Sequence, residues 1–193
     1  MRLYYHLSLP YLSNTYLIGH KSGGAAIIID PGVMDVQLLE LVEKHNYYIN
    51  SILITNADIA HTNGIKTILK IYNAKIYSGN RNINELESKT VNDGETINLE
   101  GFQIEIFGAQ GYSRESVMYK INNCLFTGDA LTAGMIGHVE NTFSKAMLIT
   151  KIKETFENIK DDTIIFPGYG PPTTKRLEKE FNQNIYSREN QGL

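Results

Sequence analysis

Strand-like and helix-like segments alternate along this 193-residue chain, and the alternation occurs twice. Short apolar runs typical of buried strands are separated by segments whose apolar side chains recur every three or four residues, as on one face of a helix. The strands predicted in the first half cover 15–19, 25–30, 51–55 and 74–78, and the helices cover 36–45 and 62–73. This alternation indicates a layered fold that mixes helices and sheets.

The second half repeats the same order of elements. Two strand pairs are predicted at 96–109 and 116–129, with turns at Glu100-Gly101 and Asn122-Asn123. A helix follows at 144–159, with Ser144 as its N-cap. Its predicted apolar stripe consists of Met147, Leu148, Ile152, Thr155 and Phe156. A buried strand at 161–168 and a short helix at 176–186 complete the pattern.

Two sheets packed face to face, with helices on both outer sides, satisfy this order of elements. The segment 81–93 shows neither the alternation typical of a strand nor the spacing of three or four residues typical of a helix. It is expected to form a loop or an irregular helix. No linker-like stretch divides the chain, so residues 1–193 are predicted to form one domain. A domain of this size buries roughly 70% of its unfolded surface and needs no disulfide.

Composition excludes several classes of protein. The net charge of −3 gives no reason to expect nucleic-acid binding, and no run approaches the ~20 apolar residues of a membrane span. The N-terminal stretch 1–14 lacks the unbroken apolar core of a signal peptide, so a cytoplasmic location is expected. Cys124 is the single cysteine and lies in an apolar run, which indicates a buried, inert thiol.

Polar or glycine-rich loops follow four of the predicted strands. They cover 55–61, 108–113, 127–130 and 167–172. Loops at strand ends are where a rigid sheet positions functional side chains. Each loop alone is a weak signal, whereas the order and spacing of all four are specific.

That order resembles the metallo-β-lactamase superfamily, and most closely its short glyoxalase-II-like hydrolases. The similar segments are "NTYLIG…AAIIIDPG", "GDALTAGMIGHVE" at 128–140 and "DDTIIFPGYGPPTTKRLEKEFNQN" at 161–184. The resemblance covers nearly the whole chain. It implies an α/β (α+β) fold, the four-layer αβ/βα sandwich, with a site at one open edge between the two sheets.

The first loop departs from the family's metal-binding motif. The family reads Thr-His-x-His-x-Asp-His, and here Thr55 and His61 match it. Asn56 stands at the first His position, Asp58 at the second and Ala60 at the Asp position. The resemblance therefore leaves His61 as a metal ligand, and Asp58 as a partial substitute.

The other three loops show two more departures. Tyr112 and Tyr169 stand where the family has metal-binding histidines, while Asp129 matches the aspartate that bridges the metals. His138 stands where the family has an arginine and is kept as a substrate contact. Asn56, Ala60, Tyr112, Tyr169 and His138 are thus predicted to line the site.

This inventory is poor for zinc, which usually needs about three protein ligands, mostly imidazole, and an open position for water. The leading interpretation is a pseudoenzyme without cofactor that binds a small ligand or a protein partner. In this interpretation, Tyr112 and Tyr169 hydrogen-bond to Asp129, and a protonated His61 pairs with that carboxylate. The sequence is equally compatible with evolutionary drift, in which the two tyrosines only fill space.

Two alternatives remain open. One is a metal-dependent, thioester-type hydrolase with a reduced zinc site at His61, Asp129 and Asp58. The other is an iron carrier or sensor, because phenolate oxygens suit ferric iron. Its ligands are Tyr112, Tyr169, Asp129 and either His61 or Asp58.

Overall fold

The structure is a computed structural model that describes residues 1–186, and two six-stranded sheets form its centre. Residues 187–193, the end of the predicted domain, lie outside the described range. The strands of the first sheet are β1 (Arg2–Ser8), β2 (Ser13–Gly19), β3 (Gly24–Ile29), β4 (Tyr47–Ile54), β5 (Lys75–Ser78) and β8 (Lys89–Thr90). Those of the second are β9 (Thr96–Leu99), β10 (Phe102–Gly108), β11 (Val117–Ile121), β12 (Cys124–Gly128), β15 (Ile164–Pro167) and β16 (Thr173–Thr174).

The first sheet has the order β1-β2-β3-β4-β5-β8. Its first three strands are antiparallel, and β3, β4, β5 and β8 are parallel to one another. The last four residues of β4, Ser51 to Ile54, are all buried. This is the expected pattern for a parallel strand covered on both faces.

The second sheet has the order β16-β15-β12-β11-β10-β9. It is antiparallel except that β12 and β15 run parallel. The turn between β9 and β10 has positive φ at Glu100 and Gly101, and that between β11 and β12 has positive φ at Asn122. Both predicted hairpin turns are therefore present.

The described residues form the helices α1 (Val36–Lys44), α2 (Ile59–Thr62), α3 (Ile65–Ile71), α4 (Thr142–Glu157) and α5 (Lys175–Phe181). α1 and α3 lie on the outer face of the first sheet, and α4 lies on the outer face of the second. Leu38 and Val42 of α1 and Ile65 and Ile68 of α3 pack with the outer side chains of the first sheet. The predicted helix at 62–73 corresponds to the shorter α3, and α2 precedes it. Between them lies Gly64, where a Cβ atom would be 2.7 Å from the Pro31 carbonyl oxygen.

Three apolar clusters separate the layers. One lies between the sheets and contains Tyr16, Ile29, Tyr119 and Phe126. A second lies between the first sheet and α1 and α3, and a third lies between the second sheet and α4. Cys124 is a free thiol in the cluster between the sheets, as its apolar surroundings in the sequence predicted. The layers confirm the predicted four-layer sandwich.

The predicted details of α4 need two corrections. Its N-cap is Asn141, whose side chain accepts a hydrogen bond from the Ser144 backbone at 2.8 Å, so Ser144 is inside the helix. Met147 is exposed rather than part of the buried stripe. An Asn and a Ser three residues apart are both good caps, and sequence alone favoured the wrong one. No helix among residues 1–186 has both the length and the apolar character needed to cross a membrane.

The segment 81–93 is not a loop or an irregular helix. It contains a small hairpin, β6 (Asn82–Ile83) and β7 (Leu86–Glu87), followed by the edge strand β8. Asn84 and Glu85 form the turn with positive φ. A second small hairpin, β13 (Leu131–Thr132) and β14 (Met135–Ile136), follows β12. Two-residue strands are too short to show a sequence period.

Candidate functional site

Polar residues meet where parallel strands end at one edge of the sandwich. Asp30 follows β3 and Thr55 follows β4 in the first sheet, while Asp129 follows β12 and Tyr169 lies two residues after β15 in the second. Because β3 and β4 are parallel, and β12 and β15 are parallel, each pair of loops lies at the same end of its sheet. The predicted loops are therefore brought together, and Asp30 joins them.

The carboxylate of Asp129 is the centre of this cluster. Its Oδ1 lies 2.8 Å from His61 Nε2, and its Oδ2 accepts hydrogen bonds from the Tyr112 hydroxyl at 2.9 Å and the Asn56 amide at 3.2 Å. Asp129 is only 8% exposed. Both carboxylate oxygens therefore have protein partners.

His61 lies on α2 and is fully buried between two carboxylates. Its Nε2 faces Asp129, and its Nδ1 lies 3.8 Å from Asp30 Oδ2, beyond hydrogen-bond distance. Nδ1 has no hydrogen-bond partner among the described residues. The ring is thus fixed by one hydrogen bond and by the charge of a second aspartate.

Asp30 was not singled out from the sequence. It is 2% exposed and accepts two hydrogen bonds from Thr55, one from the backbone N–H and one from the hydroxyl, each 2.8 Å long. The available signal was an aspartate at the end of the apolar run 25–30. A buried carboxylate needs hydrogen-bond or ion-pair partners. The hydrogen-bond donor to Asp30, Thr55, is 25 positions away in the sequence, so the local pattern around Asp30 does not reveal it.

The pKa shifts follow from burial and from the close charges. Burial alone would lower the pKa of His61, but Asp30 and Asp129 together raise it to about 9. Burial raises the pKa of Asp30 to about 6, against the effects of His61 and Thr55. Burial also opposes ionisation of Asp129, yet its hydrogen bonds with His61, Tyr112 and Asn56 hold that pKa below its usual value. The favoured state at neutral pH is a protonated His61 beside ionised Asp129.

Asn56 and Asp58 use their oxygens to shape the loop before α2. The Asn56 side-chain oxygen accepts the Asp58 backbone N–H at 2.9 Å, and Asp58 Oδ1 accepts the Ala60 N–H at 2.9 Å. Asp58 is the N-cap of α2 and is exposed. Ala60 is buried, and its carbonyl accepts the Ser13 hydroxyl at 2.6 Å.

The two tyrosines play different parts. Tyr112 donates to Asp129 as predicted, whereas the expected hydrogen bond from Tyr169 to Asp129 is absent among the described contacts. The Tyr169 ring instead packs edge-on against His61, with centroids 5.7 Å apart. Burial and nearby carboxylates raise the pKa of both phenols. Both hydroxyls are therefore neutral donors near pH 7.

Glycines let the surrounding loops approach the cluster closely. A Cβ atom at Gly168 would lie 2.6 Å from Asp129 Oδ1 and 2.7 Å from His61 Cε1. A Cβ atom at Gly137 would overlap the Asp129 carbonyl oxygen. The backbone therefore contacts the His61–Asp129 pair directly on two sides.

His138 is exposed and lies beside this cluster rather than in it. It follows Gly137, which contacts Asp129, and it forms no hydrogen bond or ion pair with another residue of the described range. The structure thus assembles His61, Asp129, Asn56 and Tyr112 through hydrogen bonds and leaves His138 at the rim. Within residues 1–186, no three His, Cys, Asp or Glu side chains are grouped so that they would bind one metal ion.

Several known sequences are similar to this chain. A protein of Treponema pallidum (strain Nichols) with no assigned function is 28% identical over 175 residues, which are 90% of this chain and 94% of that one. A hydroxyacylglutathione hydrolase of Buchnera aphidicola is 30% identical over 134 residues, which are 68% of this chain. The chain spans only 53% of that hydrolase.

Solved structures with the same fold are numerous. The BLEG-1 B3 metallo-beta-lactamase superimposes with a TM-score of 0.85 at 20% identity, covering 96% of this chain and all of that one. ETHE1 from Myxococcus xanthus gives 0.82 at 20% identity, covering 100% and 92% of the two chains. Identities this low establish the fold alone. A family model for the metallo-beta-lactamase superfamily matches residues 9–169, and the chain belongs to that superfamily.

Proposed function

We propose that this chain is a non-catalytic member of the superfamily that acts by binding a small ligand. The observation that carries the proposal is the set of side chains around Asp129. Asn56, Tyr112 and Tyr169 stand where the resemblance expects imidazole ligands. Two of these residues, Asn56 and Tyr112, donate hydrogen bonds to the Asp129 carboxylate. His61 and Asp129 are the only side chains that match the ligands implied by the resemblance, and two ligands are fewer than a zinc ion that activates water usually has.

The donor set does not fit a pair of zinc ions. His61 Nε2 lies at hydrogen-bond distance, 2.8 Å, from Asp129 Oδ1. The Asn56 oxygen and one Asp58 oxygen accept backbone N–H groups, and Ala60 supplies only a methyl group. Phenols with raised pKa values are poor zinc ligands.

A groove beside the cluster supports a binding role. It has a volume of about 590 Å³, which lies in the range of known small-molecule pockets. Its side chains are mostly apolar: Tyr5, Leu7, Leu12, Tyr16, Phe166, Pro171 and Pro172. Asn14 connects it to the cluster loop by donating to the carbonyls of Pro167 and Gly170, each at 2.9 Å. An uncharged ligand with an aromatic or aliphatic body matches this lining.

Metal analysis and an activity screen test the proposal together. Protein purified without chelator is measured for bound metals, and its hydrolysis of thioesters and phosphodiesters is assayed with and without added zinc. We expect substoichiometric metal and no turnover. Near-stoichiometric zinc, with turnover lost in His61→Ala and Asp129→Ala but kept in a control variant of the exposed turn residue His20, His20→Ala, would overturn the proposal.

A ligand screen tests the binding role itself. Thermal-shift measurements with uncharged aromatic and aliphatic compounds are expected to detect stabilisation of the wild-type protein. Leu12→Asp, at a position 64% exposed, should abolish that stabilisation by placing a charge in the groove, while Leu9→Asp, also exposed but outside the lining, should retain it. Equal responses of both variants would argue against the groove.

The second candidate is a metal-dependent hydrolase of a thioester. It is favoured by the superfamily and by the hydroxyacylglutathione hydrolase of Buchnera aphidicola. His61 and Asp129 are the two ligands that this candidate retains, with Asp58 exposed at the rim. The activity screen described above decides between the two.

The third candidate is an iron carrier or sensor. Tyr112, Tyr169, His61 and Asp129 lie together, and a related fold has been solved in a di-iron-bound form. The raised pKa of both phenols opposes phenolate formation. A tyrosinate–ferric protein is coloured, so protein that stays colourless and iron-free after ferric loading would eliminate this candidate.

A further inference from the structure

The strand β1 leaves one long edge of the first sheet unpaired among the described residues. The edge strands of the two six-stranded sheets are β1, β8, β9 and β16. β8 and β16 have two residues each and β9 has four, whereas β1 has seven. A long edge strand offers its free N–H and C=O groups to a further strand, and a very short one does not. β1 is therefore the edge of these two sheets that is best suited to pairing with another strand.

The direction of one hydrogen bond shows which backbone groups of β1 are free. β1 and β2 pair residue for residue along the whole of β1. In β2, the Asn14 N–H donates to the carbonyl of Gly168, which follows β15, so this N–H points away from β1. Backbone groups alternate in direction along an antiparallel strand. The residue opposite Asn14 is Leu7, so Leu7, Tyr5 and Leu3 direct their N–H and C=O groups to the free edge.

The same three residues place apolar side chains on the face between the two sheets. Tyr5 and Leu7 line the apolar groove, and Leu3 packs against the cluster between the sheets. Tyr5 is 56% exposed. On the opposite face of β1, His6 pairs with Asp35 at the start of α1. The free edge thus combines unpaired backbone groups with an apolar stripe.

We propose that two copies of this chain pair antiparallel through β1, which joins their first sheets into one sheet across a twofold axis. The proposal goes beyond the proposed function, because the pairing needs no ligand in either copy. Residues that direct their backbone groups outward can pair only with each other, so the axis passes through a residue and not between two residues. With the axis at Tyr5, every residue of β1 has a partner residue. An axis at any other residue leaves part of the strand unpaired.

The pairing centred on Tyr5 brings similar side chains together. Tyr5 lies opposite the partner's Tyr5, and Leu3 lies opposite the partner's Leu7. Aromatic and apolar cross-strand pairs stabilise a sheet. Because Tyr5 belongs both to the groove and to the axis, the groove of each copy continues into that of the other.

The charges on and near β1 match a second copy of the same chain. Arg2 is the only Lys, Arg, Asp or Glu residue of β1, and it is exposed. The pairing places Arg2 opposite the partner's Ser8 and diagonal to the partner's His6. Asp35 lies 3.1 Å from His6 and is one-third exposed, so the partner's Asp35 is within reach of the Arg2 side chain. The two Arg2 residues are six strand positions apart, about 20 Å, and do not repel each other appreciably.

Sedimentation of the full chain at micromolar concentrations tests the assembly. We expect a dimer. Tyr5→Asp should weaken dimerisation about 100-fold or more, because it places two carboxylates opposite each other at the axis. The matched control is Phe143→Asp, at an aromatic side chain of α4 that is 74% exposed and is not in β1. It should leave dimerisation unchanged. Circular dichroism establishes that both variants are folded.

Charge reversal tests the register of the pairing. Arg2→Glu should weaken dimerisation about tenfold, because it places a carboxylate beside the partner's Asp35 in each of two equivalent contacts. The control is Lys21→Glu, the same reversal at an exposed position in the turn between β2 and β3, and it should have no effect. Equal effects of the two reversals would overturn the pairing centred on Tyr5.

Amide hydrogen exchange of the wild-type protein tests the edge without any substitution. The N–H groups of Leu3, Tyr5 and Leu7 should exchange slowly in concentrated protein and rapidly after dilution has dissociated the dimer. Those of Tyr4 and His6 point toward β2 and should exchange slowly under both conditions. Rapid exchange of Leu3, Tyr5 and Leu7 in concentrated protein would overturn the proposal.

Two further results would overturn the proposal. Wild-type protein that stays monomeric at its highest soluble concentration would show that the β1 edge does not bind a second copy. A dimer that persists in folded Tyr5→Asp would place the interface on another surface. The proposed function fails separately: a dimer that no small ligand stabilises would support the pairing alone, and a ligand-stabilised monomer would support the binding role alone.

Discussion

His61 Nε2 lies 2.8 Å from Asp129 Oδ1, although 68 positions separate the two residues in the sequence. One belongs to a short helix beside the first sheet and the other follows a strand of the second. Each is buried, so their contact excludes water and strengthens the electrostatic interaction between them.

Stability is expected to fall as pH rises above neutrality. The folded-state pKa of His61 is raised from 6.5 to about 9, so its contribution is complete below pH 6.5 and is lost as pH rises through 9. The loss should be up to about 3 kcal/mol in the free energy of unfolding. Urea unfolding between pH 6.5 and 9.5 measures it. The free energy of unfolding of His61→Gln should depend less on pH than that of the wild-type protein. An equal pH dependence of the two proteins would contradict the raised pKa of His61.

Thr55→Val should destabilise the fold by removing the hydroxyl donor to Asp30. The buried Asp30 oxygen then loses a 2.8 Å hydrogen bond, at a cost of about 1–3 kcal/mol. Thr150→Val is the control, because its hydroxyl donates to a carbonyl on an exposed part of α4. That change should stay within about 0.5 kcal/mol. Denaturant midpoints of both variants provide the comparison.

Gly168→Ala should disturb the His61–Asp129 pair. Its φ is not positive, so the cost arises from a Cβ atom placed 2.6 Å from Asp129 Oδ1. Overpacking of this kind costs about 1–3 kcal/mol. Gly170→Ala, with a φ of +76° and open space around its Cβ, tests backbone strain alone. NMR signals of the His61 ring should shift in the first variant and stay unchanged in the second.

Tyr112→Phe and Tyr169→Phe should differ in their effect on stability. Tyr112 donates to ionised Asp129 at 2.9 Å, and losing such a bond costs about 1.5–3 kcal/mol. The Tyr169 hydroxyl has no hydrogen-bond partner within the described range, so its removal should change stability by less than about 0.5 kcal/mol. Thermal unfolding distinguishes the two. A larger loss in Tyr169→Phe would indicate that the hydrogen bonding of the cluster is different.

Restoring the family's ligands should restore metal binding. The variant carries Asn56→His, Asp58→His, Ala60→Asp, Tyr112→His and Tyr169→His, each at a position where the resemblance expects that residue. Zinc is expected to bind at close to stoichiometric amounts, measured by elemental analysis. Wild-type protein treated identically is the control. Failure of a folded variant to bind zinc would indicate that the aligned positions do not converge in space.

Most of the layered architecture was predictable from local pattern. The apolar runs at 25–30 and 51–55 correspond to β3 and β4, and the turns at Glu100-Gly101 and Asn122-Asn123 lie between strands. β1 and the hairpin within 81–93 were missed. β1 mixes exposed and buried residues at a sheet edge, and β6 and β7 have two residues each, so neither shows a clear period.

Several residues that the superfamily resemblance assigned to the site lie close together in the structure. Asn56, His61 and Tyr112 each contact Asp129, and these contacts could not be predicted from the sequence. The position that the resemblance gives Tyr169 suggested a hydrogen bond from its hydroxyl to Asp129, whereas its ring packs on His61. Which donor reaches a carboxylate depends on side-chain direction and on distances of a few tenths of an ångström, and neither is encoded in spacing.

The sequence by itself determined the order of most strands and helices and the superfamily resemblance, which shows Asn56, Tyr112 and Tyr169 at positions where that family has histidines. Only the tertiary structure decided that Asp30 joins the cluster and that His61 lies between Asp30 and Asp129. The physical reason is that local patterns follow from each residue and its near neighbours. The charge balance of a buried site depends on groups that the fold brings together from distant parts of the chain.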